Sequence, residues 1–326
     1  MKIVIAVNPE QPCPPVGYGG TQRQAAAIAE GLVERGHRVT LLCGPGSTCR
    51  VDKYVVTTAS VGAEWEYVSW LRQSRDWDVV LDMTMNHLPS RPSGLPDGSK
   101  TVAWMTGDPL RKYAHDDVRN RVYVSRPFAE FCGCPDHPAV SNVIGDDPAT
   151  VPLGSGGGGY CCYLGTIRPE KGVHLAAEAC CRLGVPFKVA GVVQGRFLPY
   201  WESFRGQVDM VGEVGSADRY TLLGGAAALV FPSLWCDAGP LAVKESLLCG
   251  TPVLACPNGG LTEDVVDGIN GVLVEPKDVT PGLDRLLSKE WDRLAVRSSI
   301  SERMNVDRYV DQVEIMLARV AKGGAW

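Results

Sequence analysis

Short apolar runs alternate with amphipathic stretches along the first half of the chain. Residues 2–7 form a β-branched run, residues 21–35 place Ala and Ile on one helical face, and residues 38–43 form a second apolar run after Gly36. This pattern predicts a strand, a helix and a parallel strand. Further strands are predicted at residues 79–82, 101–105 and 121–125. The first half therefore predicts a doubly wound parallel sheet.

The composition changes abruptly at residues 146–159, where the sequence reads DDPATVPLGSGGGG. Such a run is typical of a flexible linker and suggests a domain boundary. The second half repeats the same α/β pattern, with a helix at residues 173–183 and strands at residues 160–164, 187–190, 208–211, 228–231 and 252–255. An apolar spacing over residues 299–320 suits a closing amphipathic helix. The predicted division is an N-terminal Rossmann-like domain, a glycine-rich linker, a C-terminal Rossmann-like domain and a closing helix, at residues 1–152, 153–159, 160–303 and 304–326.

Composition and charge narrow the class of protein. The 326 residues are 45% hydrophobic and 21% charged, close to globular averages, and the formal net charge of -5 disfavours polyanion binding. The N-terminal apolar run is too short for a signal-peptide core, so a cytoplasmic location is expected. The twelve cysteines form no CxxC pair, which favours reduced core thiols. Neither a metal site nor a bound cofactor is expected.

A glycine-rich loop, PPVGYGG, lies between the first predicted strand and the first helix. Glycines at this place let the backbone approach a ligand, and the helix N-terminus beyond them offers N–H donors. Gly19 and Gly20 are therefore candidate contacts for a polar or anionic ligand, with a plain tight turn as the alternative. The dinucleotide fingerprint GxGxxG is absent, which disfavours a dehydrogenase.

A second segment, YLGTIRPEKG at residues 163–172, places Lys171 at the mouth of a predicted helix. A cation at a helix N-terminus suits a diphosphate, because Lys supplies charge and the helix supplies N–H donors. No metal ion is then required. The alternative is an ordinary helix start with a surface lysine.

A third segment, residues 231–255, carries two acids eight positions apart. Asp237 lies in the predicted loop after a strand, and Glu245 lies on the helix that follows. Both carboxylates can face one ligand, and carboxylates suit sugar hydroxyls because each oxygen accepts hydrogen bonds.

The three segments, in this order, resemble glycosyltransferase family 4 of the retaining GT-B enzymes. The similarity includes GHRVTLL, the EKG step, the acid-x7-acid motif, CGTPVLA and NGGLTEDVVDGINGVLV, and it extends over nearly the whole chain. The resemblance implies two Rossmann-like doubly wound domains that face each other across a cleft. It also implies a retaining, metal-independent transfer of sugar from a nucleotide-diphosphate donor, held mainly by the C-terminal domain.

The resemblance further assigns roles to individual residues. It implies that Lys171 binds the diphosphate, that Glu245 binds the donor ribose and that Asp237 contacts the donor sugar. The remaining implied donor contacts are the backbone of Ala238, Gly239, Pro240 and Leu241, and Gly212 and Glu213 near the base.

Three departures from the family pattern affect the chemistry. Thr166 stands where the family commonly has Arg after the strand glycine, and Arg168 replaces that Arg only if the loop turns it inward. The first acid is Asp237 rather than Glu. The loop after residues 101–105 lacks the His found in many relatives, and Asp108 or His87 is a candidate replacement. The candidate catalytic residues are thus Asp108, His87, Lys171 and Asp237.

Substrates and alternatives remain open at the sequence level. The donor is a UDP-, GDP-, ADP- or TDP-sugar, and the acceptor hydroxyl belongs to a small molecule, a glycan or a modified nucleic-acid base. A nucleotide-sugar epimerase and a non-catalytic nucleotide-sugar binding protein of the same fold are the alternatives. No integral membrane segment is predicted.

Overall fold

The computed structural model describes residues 1–17, 19–58, 62–95, 100–106 and 117–326. The chain divides into two compact units, Met1–Gly145 together with Asn305–Trp326, and Asp146–Met304. The division falls at residue 145, seven residues before the predicted boundary, and the C-terminal helix belongs to the first unit.

The N-terminal unit is built on a parallel sheet that is flanked by helices. Six strands of the described residues pair in the order β3-β2-β1-β4-β5-β6. Their bounds are β1 Lys2–Val7, β2 Arg38–Cys43, β3 Lys53–Val56, β4 Val79–Met83, β5 Thr101–Met105 and β6 Arg121–Tyr123. The first helices of this unit are α1 Gly20–Glu34, α2 Ala63–Ser74 and α3 Arg126–Phe131. The central strands β1, β4 and β5 are almost wholly buried, as expected for a parallel sheet covered on both faces.

The C-terminal unit repeats this topology. Its strands are β7 Cys161–Leu164, β8 Phe187–Ala190, β9 Asp209–Gly212, β10 Ala228–Phe231, β11 Val253–Ala255 and β12 Gly271–Leu273. They pair in parallel in the order β12-β11-β10-β7-β8-β9. Read from the other edge, this is the strand order of the first sheet. The neighbours β1 and β4 in one unit, and β7 and β10 in the other, mark the point where the strand order reverses.

Helices pack on both faces of the second sheet. They are α4 Val173–Leu183, α5 Leu198–Glu202, α6 Ser216–Gly225, α7 Leu241–Leu248, α8 Leu261–Asp264, α9 Val279–Leu287 and α10 Arg293–Ser301. Most bury one face only. Helix α7 is the exception, because seven of its eight residues are buried. It therefore lies inside the unit, where it holds Glu245 away from bulk water.

The predicted helix over residues 299–320 is wrong at its start. Helix α10 ends at Ser301, and a new helix, α11, runs over Val306–Ala321. Its N-cap is Asn305, whose side chain accepts a hydrogen bond from the Arg308 amide at 2.8 Å. The predicted apolar face is confirmed, because the inward positions of α11 are buried in the N-terminal unit, with Tyr309 edge-on to Trp104.

The glycine-rich segment predicted as a flexible linker is packed against the C-terminal unit. The amides of Gly154, Gly156 and Gly158 donate to the carbonyls of Cys249, Gly224 and Gly225 at 2.9–3.0 Å. A Cβ on Gly154 would lie 2.2 Å from the Gly224 backbone. The glycines therefore permit a close backbone approach, and the segment belongs to the fold.

The other predicted strands and helices are confirmed to within two residues at each end. Two edge strands, β3 and β12, were not predicted, because β3 has only four residues, most of them exposed, and β12 has three residues. Among the helices of the described residues, none is both long enough and apolar enough to cross a membrane.

Candidate functional site

The loops that follow β7 and β10 meet at the carboxyl edge of the second sheet. In doubly wound sheets, ligands bind at this edge, where the strand order reverses. The loop after β7 leads through residues 165–172 into α4, and the loop after β10 leads through residues 232–240 into α7. These loops carry most of the site residues predicted for the donor.

Lys171 and Asp237 form an ion pair across these two loops. The Nζ of Lys171 lies 2.6 Å from Oδ2 of Asp237, and the two side chains are 15% and 9% exposed. The same carboxylate oxygen accepts hydrogen bonds from the Ser233 hydroxyl at 3.0 Å and the Trp235 indole at 3.4 Å. A lysine and an acid that lie 66 residues apart in sequence are thus brought together, and their predicted roles as donor contacts stay predictions.

Two cations of the site, Lys171 and Arg168, lie against the Trp235 indole ring. The Lys171 ammonium lies 5.0 Å from the ring centroid and the Arg168 guanidinium lies 4.6 Å from it. Arg168 also lies 5.6 Å from the Phe197 ring, and its side chain is 14% exposed. Both cations are held by cation–π contacts. The loop therefore turns Arg168 inward, which was the condition for it to replace the arginine absent at Thr166.

Backbone contacts lock the two loops together. Gly172 has a positive φ of 66°, and a Cβ there would lie 2.1 Å from the Pro232 carbonyl oxygen. The Leu234 amide donates to the Glu170 carbonyl at 2.8 Å. The glycine after Lys171 is thus required for loop packing, which explains the Lys-Gly step without a ligand.

The asparagine and glycines of the NGG motif support the Asp237 loop from behind. The Asn258 side-chain amide donates to the Ser233 carbonyl at 2.8 Å. The Gly260 amide donates to the Asp237 carbonyl at 2.7 Å. The carboxylate of Asp237 is therefore presented by a backbone that is fixed at both ends.

One predicted source of anion-binding amides is already engaged. The Tyr200 hydroxyl accepts a hydrogen bond from the His174 amide in the first turn of α4 at 3.1 Å, and it lies 2.7 Å from Nδ1 of His174. Tyr200 thus caps α4. The N-terminus of α7, which begins after Pro240, is left as the better helix end for an anion.

The second acid of the motif lies in a different environment. The Glu245 side chain is 1% exposed, and its Oε1 lies 3.0 Å from Nε of Arg219. Arg219 was not predicted, because it lies in an unremarkable run of α6, 26 positions from Glu245. The pairing of these two residues became visible only in the folded chain.

The remaining predicted donor contacts lie along the same edge. Gly212 ends β9, and its carbonyl accepts the Gly191 amide at 2.8 Å, while the Glu213 side chain is exposed. The Thr166 carbonyl accepts the Tyr163 hydroxyl at 3.0 Å. Ala238, Gly239, Pro240 and Leu241 connect the Asp237 loop to the first turn of α7. Their roles as donor contacts stay predictions.

In the N-terminal unit, the loop after β4 is closed by a buried carboxylate network. Asp82 accepts hydrogen bonds from the amides and hydroxyls of Thr84 and Ser90 at 2.7–3.1 Å. Burial alone would raise the pKa of the Asp82 carboxyl, but nearby His87 and these hydroxyls outweigh it and hold the pKa below its usual range. Glu64, at the start of α2, accepts from the Leu88 and Asn86 amides at 3.3 Å.

The predicted catalytic residue His87 belongs to this network. Its Nδ1 lies 3.7 Å from Oδ1 of Asp82, and its side chain is only 4% exposed. The ring thus faces the interior of the unit, and a catalytic role for His87 stays a prediction that this burial disfavours. Asp108, the other candidate, lies outside the described residues.

The glycine loop before α1 is packed on itself. A Cβ on Gly19 would lie 2.6 Å from the Gln11 side chain and 2.7 Å from Pro15. Gly20 is the first residue of α1. Packing alone therefore explains Gly19, and ligand contact at Gly19 and Gly20 stays a prediction.

Metal-ligating side chains are not clustered in the part of the chain that the structure describes, where no three His, Cys, Asp or Glu residues converge. All twelve cysteines are free thiols, as predicted from their spacing. Burial raises the pKa of Cys256 to about 11, which is consistent with an inert core thiol.

Comparison with known proteins finds a family whose sequences are similar to the C-terminal unit. Residues 154–303, nearly the whole C-terminal unit, match the family described as glycosyl transferases group 1. The match covers 150 of the 326 residues, a little under half of the chain. The predicted resemblance is therefore confirmed for the unit that carries Lys171, Asp237 and Glu245.

Two curated proteins that are similar to part of the chain share a name. The D-inositol 3-phosphate glycosyltransferase of Mycolicibacterium smegmatis is 29% identical over 174 residues, which cover 49% of the chain and 39% of that relative. The protein of the same name from Mycobacterium marinum is 33% identical over 129 residues, covering 36% and 27%. The match thus spans well under half the length of these relatives.

Solved structures match over the full length. AviGT4, a glycosyltransferase involved in avilamycin A biosynthesis, is 26% identical with a TM-score of 0.77 and full coverage of both chains. The HepE protein of Anabaena, crystallised with UDP and glucose, is 16% identical with a TM-score of 0.75, covering 98% and 100%. The second likeness shows the fold alone. The predicted architecture of two Rossmann-like units is confirmed.

Proposed function

We propose that this chain is a glycosyltransferase that moves a sugar from a nucleotide-diphosphate donor to an acceptor hydroxyl. The proposal rests on the family match of residues 154–303 and on one observation, the convergence of Lys171, Arg168 and Asp237 on Trp235 at the strand-order reversal. A compact cluster of two cations beside a carboxylate matches a ligand that carries both phosphates and sugar hydroxyls. Lys171 and Arg168 are assigned to the diphosphate, and Asp237 to the sugar.

Charge develops on the leaving diphosphate as the glycosidic bond breaks. The ammonium of Lys171 and the guanidinium of Arg168 are positioned by Trp235 before the donor arrives, so little reorganisation is needed at the moment of reaction. The N-terminus of α7 adds backbone donors and the positive end of a helix dipole. On this basis the transfer is proposed to need no metal ion.

Asp237 has a second task in this proposal. In the free protein it neutralises Lys171, and a bound diphosphate would take over that ammonium. Asp237 would then be released to accept hydrogen bonds from the donor sugar. In this proposal the donor displaces Asp237 from the 2.6 Å ion pair with Lys171.

Glu245 is assigned to the ribose of the donor. A carboxylate with one oxygen held by Arg219 retains the capacity to accept hydrogen bonds from a ribose diol. The structures of HepE with UDP and glucose, and of Arabidopsis starch synthase IV with ADP and acarbose, show nucleotides bound to proteins of this fold. They support a nucleotide donor here as well.

Retention of the anomeric configuration is proposed from the family resemblance. A route on one face of the sugar, in which the leaving phosphate helps to remove the acceptor proton, uses the residues described above. The acceptor is proposed to carry a hydroxyl on a small molecule or glycan, and its identity is a matter for screening.

The test is a two-stage screen. Thermal-shift measurements against UDP-, GDP-, ADP- and TDP-sugars identify the donor, because a ligand that binds the folded state raises the melting temperature. Release of nucleoside diphosphate is then measured with a panel of acceptors. Binding followed by acceptor-dependent release supports the proposal. Binding without release or transfer indicates a binding protein, and conversion of the sugar without acceptor indicates an epimerase.

A further inference from the structure

A chain of polar contacts in the C-terminal unit ends on Glu245. Arg219, on α6, places Nε 3.0 Å from Oε1 of Glu245 and Nη2 2.6 Å from Oδ2 of Asp146. The Tyr220 hydroxyl donates to the same Asp146 oxygen at 2.5 Å, and the Arg219 guanidinium lies 4.7 Å from the Tyr220 ring centroid. The guanidinium is thus held on three sides.

Glu245 and Arg219 are both buried, so Glu245 depends on Arg219 for a charge partner. The side chains of Glu245 and Arg219 are 1% and 6% exposed, whereas that of Asp146 is 40% exposed. A buried carboxylate without a partner is strongly disfavoured in its charged form. Burial alone would lower the pKa of Arg219, but the Glu245 charge and the contacts with Tyr220 and Asp146 outweigh it and raise the pKa. Arg219 is therefore the fixed positive charge that Glu245 faces.

We propose that Arg219 is a positioning residue for nucleotide recognition, an inference that rests on the proposed function of Glu245. The Arg219 guanidinium is ion-paired with one oxygen of the carboxylate and fixes the orientation in which Glu245 meets the ribose diol. Asp146 and Tyr220 set the plane of the guanidinium in turn. The order of action runs from Asp146 to Arg219 to Glu245.

The proposal separates two parts of the donor. Recognition of the nucleoside depends on Arg219 through Glu245, whereas recognition of the phosphates depends on Lys171 and Arg168. Loss of Arg219 should therefore weaken the binding of a nucleoside diphosphate more than the binding of inorganic pyrophosphate. A purely structural role for Arg219 would reduce the fraction of folded protein and would change both ligands equally.

The experiment measures Kd by calorimetry on the full chain for pyrophosphate and for UDP, GDP, ADP and TDP, of which the tightest for wild type is carried forward. Arg219→Met is expected to weaken binding of that nucleotide by tenfold or more, because Glu245 loses its buried ion-pair partner, and to leave the Kd of pyrophosphate within about twofold. Arg219→Lys should recover part of the loss. In transfer assays, the donor KM should rise more than kcat falls.

Arg293→Met is the matched control. Arg293 is half-buried in the same unit and bonds to Thr251 and to the carbonyls of Gly224 and Ala226. It should lower the melting temperature without changing the Kd of either ligand. If Arg219→Met does not fold, Asp146→Asn tests the same chain of contacts from its exposed end, with an expected loss of about threefold for the nucleotide only.

A double variant decides whether Arg219 acts through Glu245. Arg219→Met combined with Glu245→Ala should bind the nucleotide no more weakly than Glu245→Ala alone. Additive losses, or equal losses for nucleotide and pyrophosphate in Arg219→Met, would overturn the proposal. If wild type binds none of the four nucleotides, the proposed function itself fails. Wild-type binding with an unaffected Arg219→Met variant defeats this inference alone.

Discussion

The first and fourth strands are neighbours in both sheets, β1 with β4 and β7 with β10, and in both units the strand order reverses between them. After β4, the loop amides and hydroxyls donate hydrogen bonds to two buried carboxylates, Asp82 at the end of the strand and Glu64 on α2. After β10, Asp237 meets Lys171 from a neighbouring loop, and Arg168 joins them over Trp235. The same topology thus carries a buried polar network in one unit, whose hydrogen bonds lie within that unit, and a partly exposed charged cluster in the other.

This difference shows that a position at the carboxyl edge of the sheet does not by itself make a ligand site. The reversal point offers a crevice in any doubly wound sheet, but a ligand needs polar groups that it can reach. The His87 side chain is 4% exposed and lies within its own loop network, whereas the Lys171 and Arg168 side chains are 14–15% exposed and can exchange a protein partner for a ligand. Five predictions test the two sides of the comparison, from the largest expected effect to the smallest.

Lys171→Met should reduce transfer with the identified donor by about 10²–10³-fold, because the variant removes a charge aimed at the leaving diphosphate. The rate of nucleoside diphosphate release is the measurement. Lys277→Met, at an exposed lysine of the same unit, is the control and should keep wild-type activity. A Lys171→Met variant with full turnover would contradict the assignment of the charged cluster after β10 to the donor.

Asp82→Ala should lower the free energy of unfolding of the N-terminal unit by about 3 kcal/mol, because four bonded donors lose their acceptor. Hydrogen exchange at β4 amides measures this loss locally. The matched variant is Asp267→Ala, which removes an exposed acid paired with Arg285 and should cost under about 1 kcal/mol. Equal protection in the Asp82→Ala and Asp267→Ala variants would show that the network does not stabilise the loop.

Asp82 also predicts a pH dependence. The folded-state pKa is lowered, so the stabilisation is fully present above the unfolded value of about 3.9 and is lost as the pH falls through the folded pKa. Wild-type protection at β4 should therefore fall below about pH 4. Asp82→Asn should start lower at neutral pH and show a flatter acid limb. An identical acid limb in the two proteins would contradict the assignment.

Gly154→Ala should destabilise the C-terminal unit by about 2 kcal/mol, because the new Cβ would meet the Gly224 backbone at 2.2 Å. Gly157→Ala is the control, since its nearest neighbour would be a serine hydroxyl at 3.5 Å. Urea midpoints of the two variants measure the difference. If both variants match wild type, residues 153–159 behave as the flexible linker that the sequence predicted.

Arg168→Met should raise the donor KM by about tenfold, the smallest of these effects, because Lys171 remains in place. Arg168→Lys should recover part of the affinity, since it keeps the charge but loses the planar stacking on Trp235. Unchanged kinetics in Arg168→Met would show that the inward turn of this loop does not compensate for Thr166.

Sequence reasoning succeeded where local signals agreed with the fold. Gly36 ended α1 as predicted, the β-branched run at Lys2–Val7 formed β1, and the order of three motifs indicated that Lys171 and Asp237 belong to one region of the fold. Each of these depends on residues close in sequence or on a pattern shared by a family.

The failures have physical causes that act across longer distances. The glycine run at 153–159 has a linker composition, yet its backbone finds hydrogen-bond acceptors at Gly224 and Cys249. His87 follows a strand end, where ligands gather, but Asp82 draws its ring inward. Arg219 lies in a run without periodicity, and only the folded α6 brings it to Glu245. Composition and spacing contain none of these tertiary contacts.

The most direct test of the account is a calorimetric titration of wild type and Lys171→Met with UDP-, GDP-, ADP- and TDP-sugars. The account predicts that at least one of the four binds wild type, and that Lys171→Met weakens that donor by at least about tenfold while it remains folded. Absence of binding by all four to folded wild-type protein, or equal affinity in the two proteins, would contradict the claim that the C-terminal unit holds a nucleotide sugar between the loops of β7 and β10.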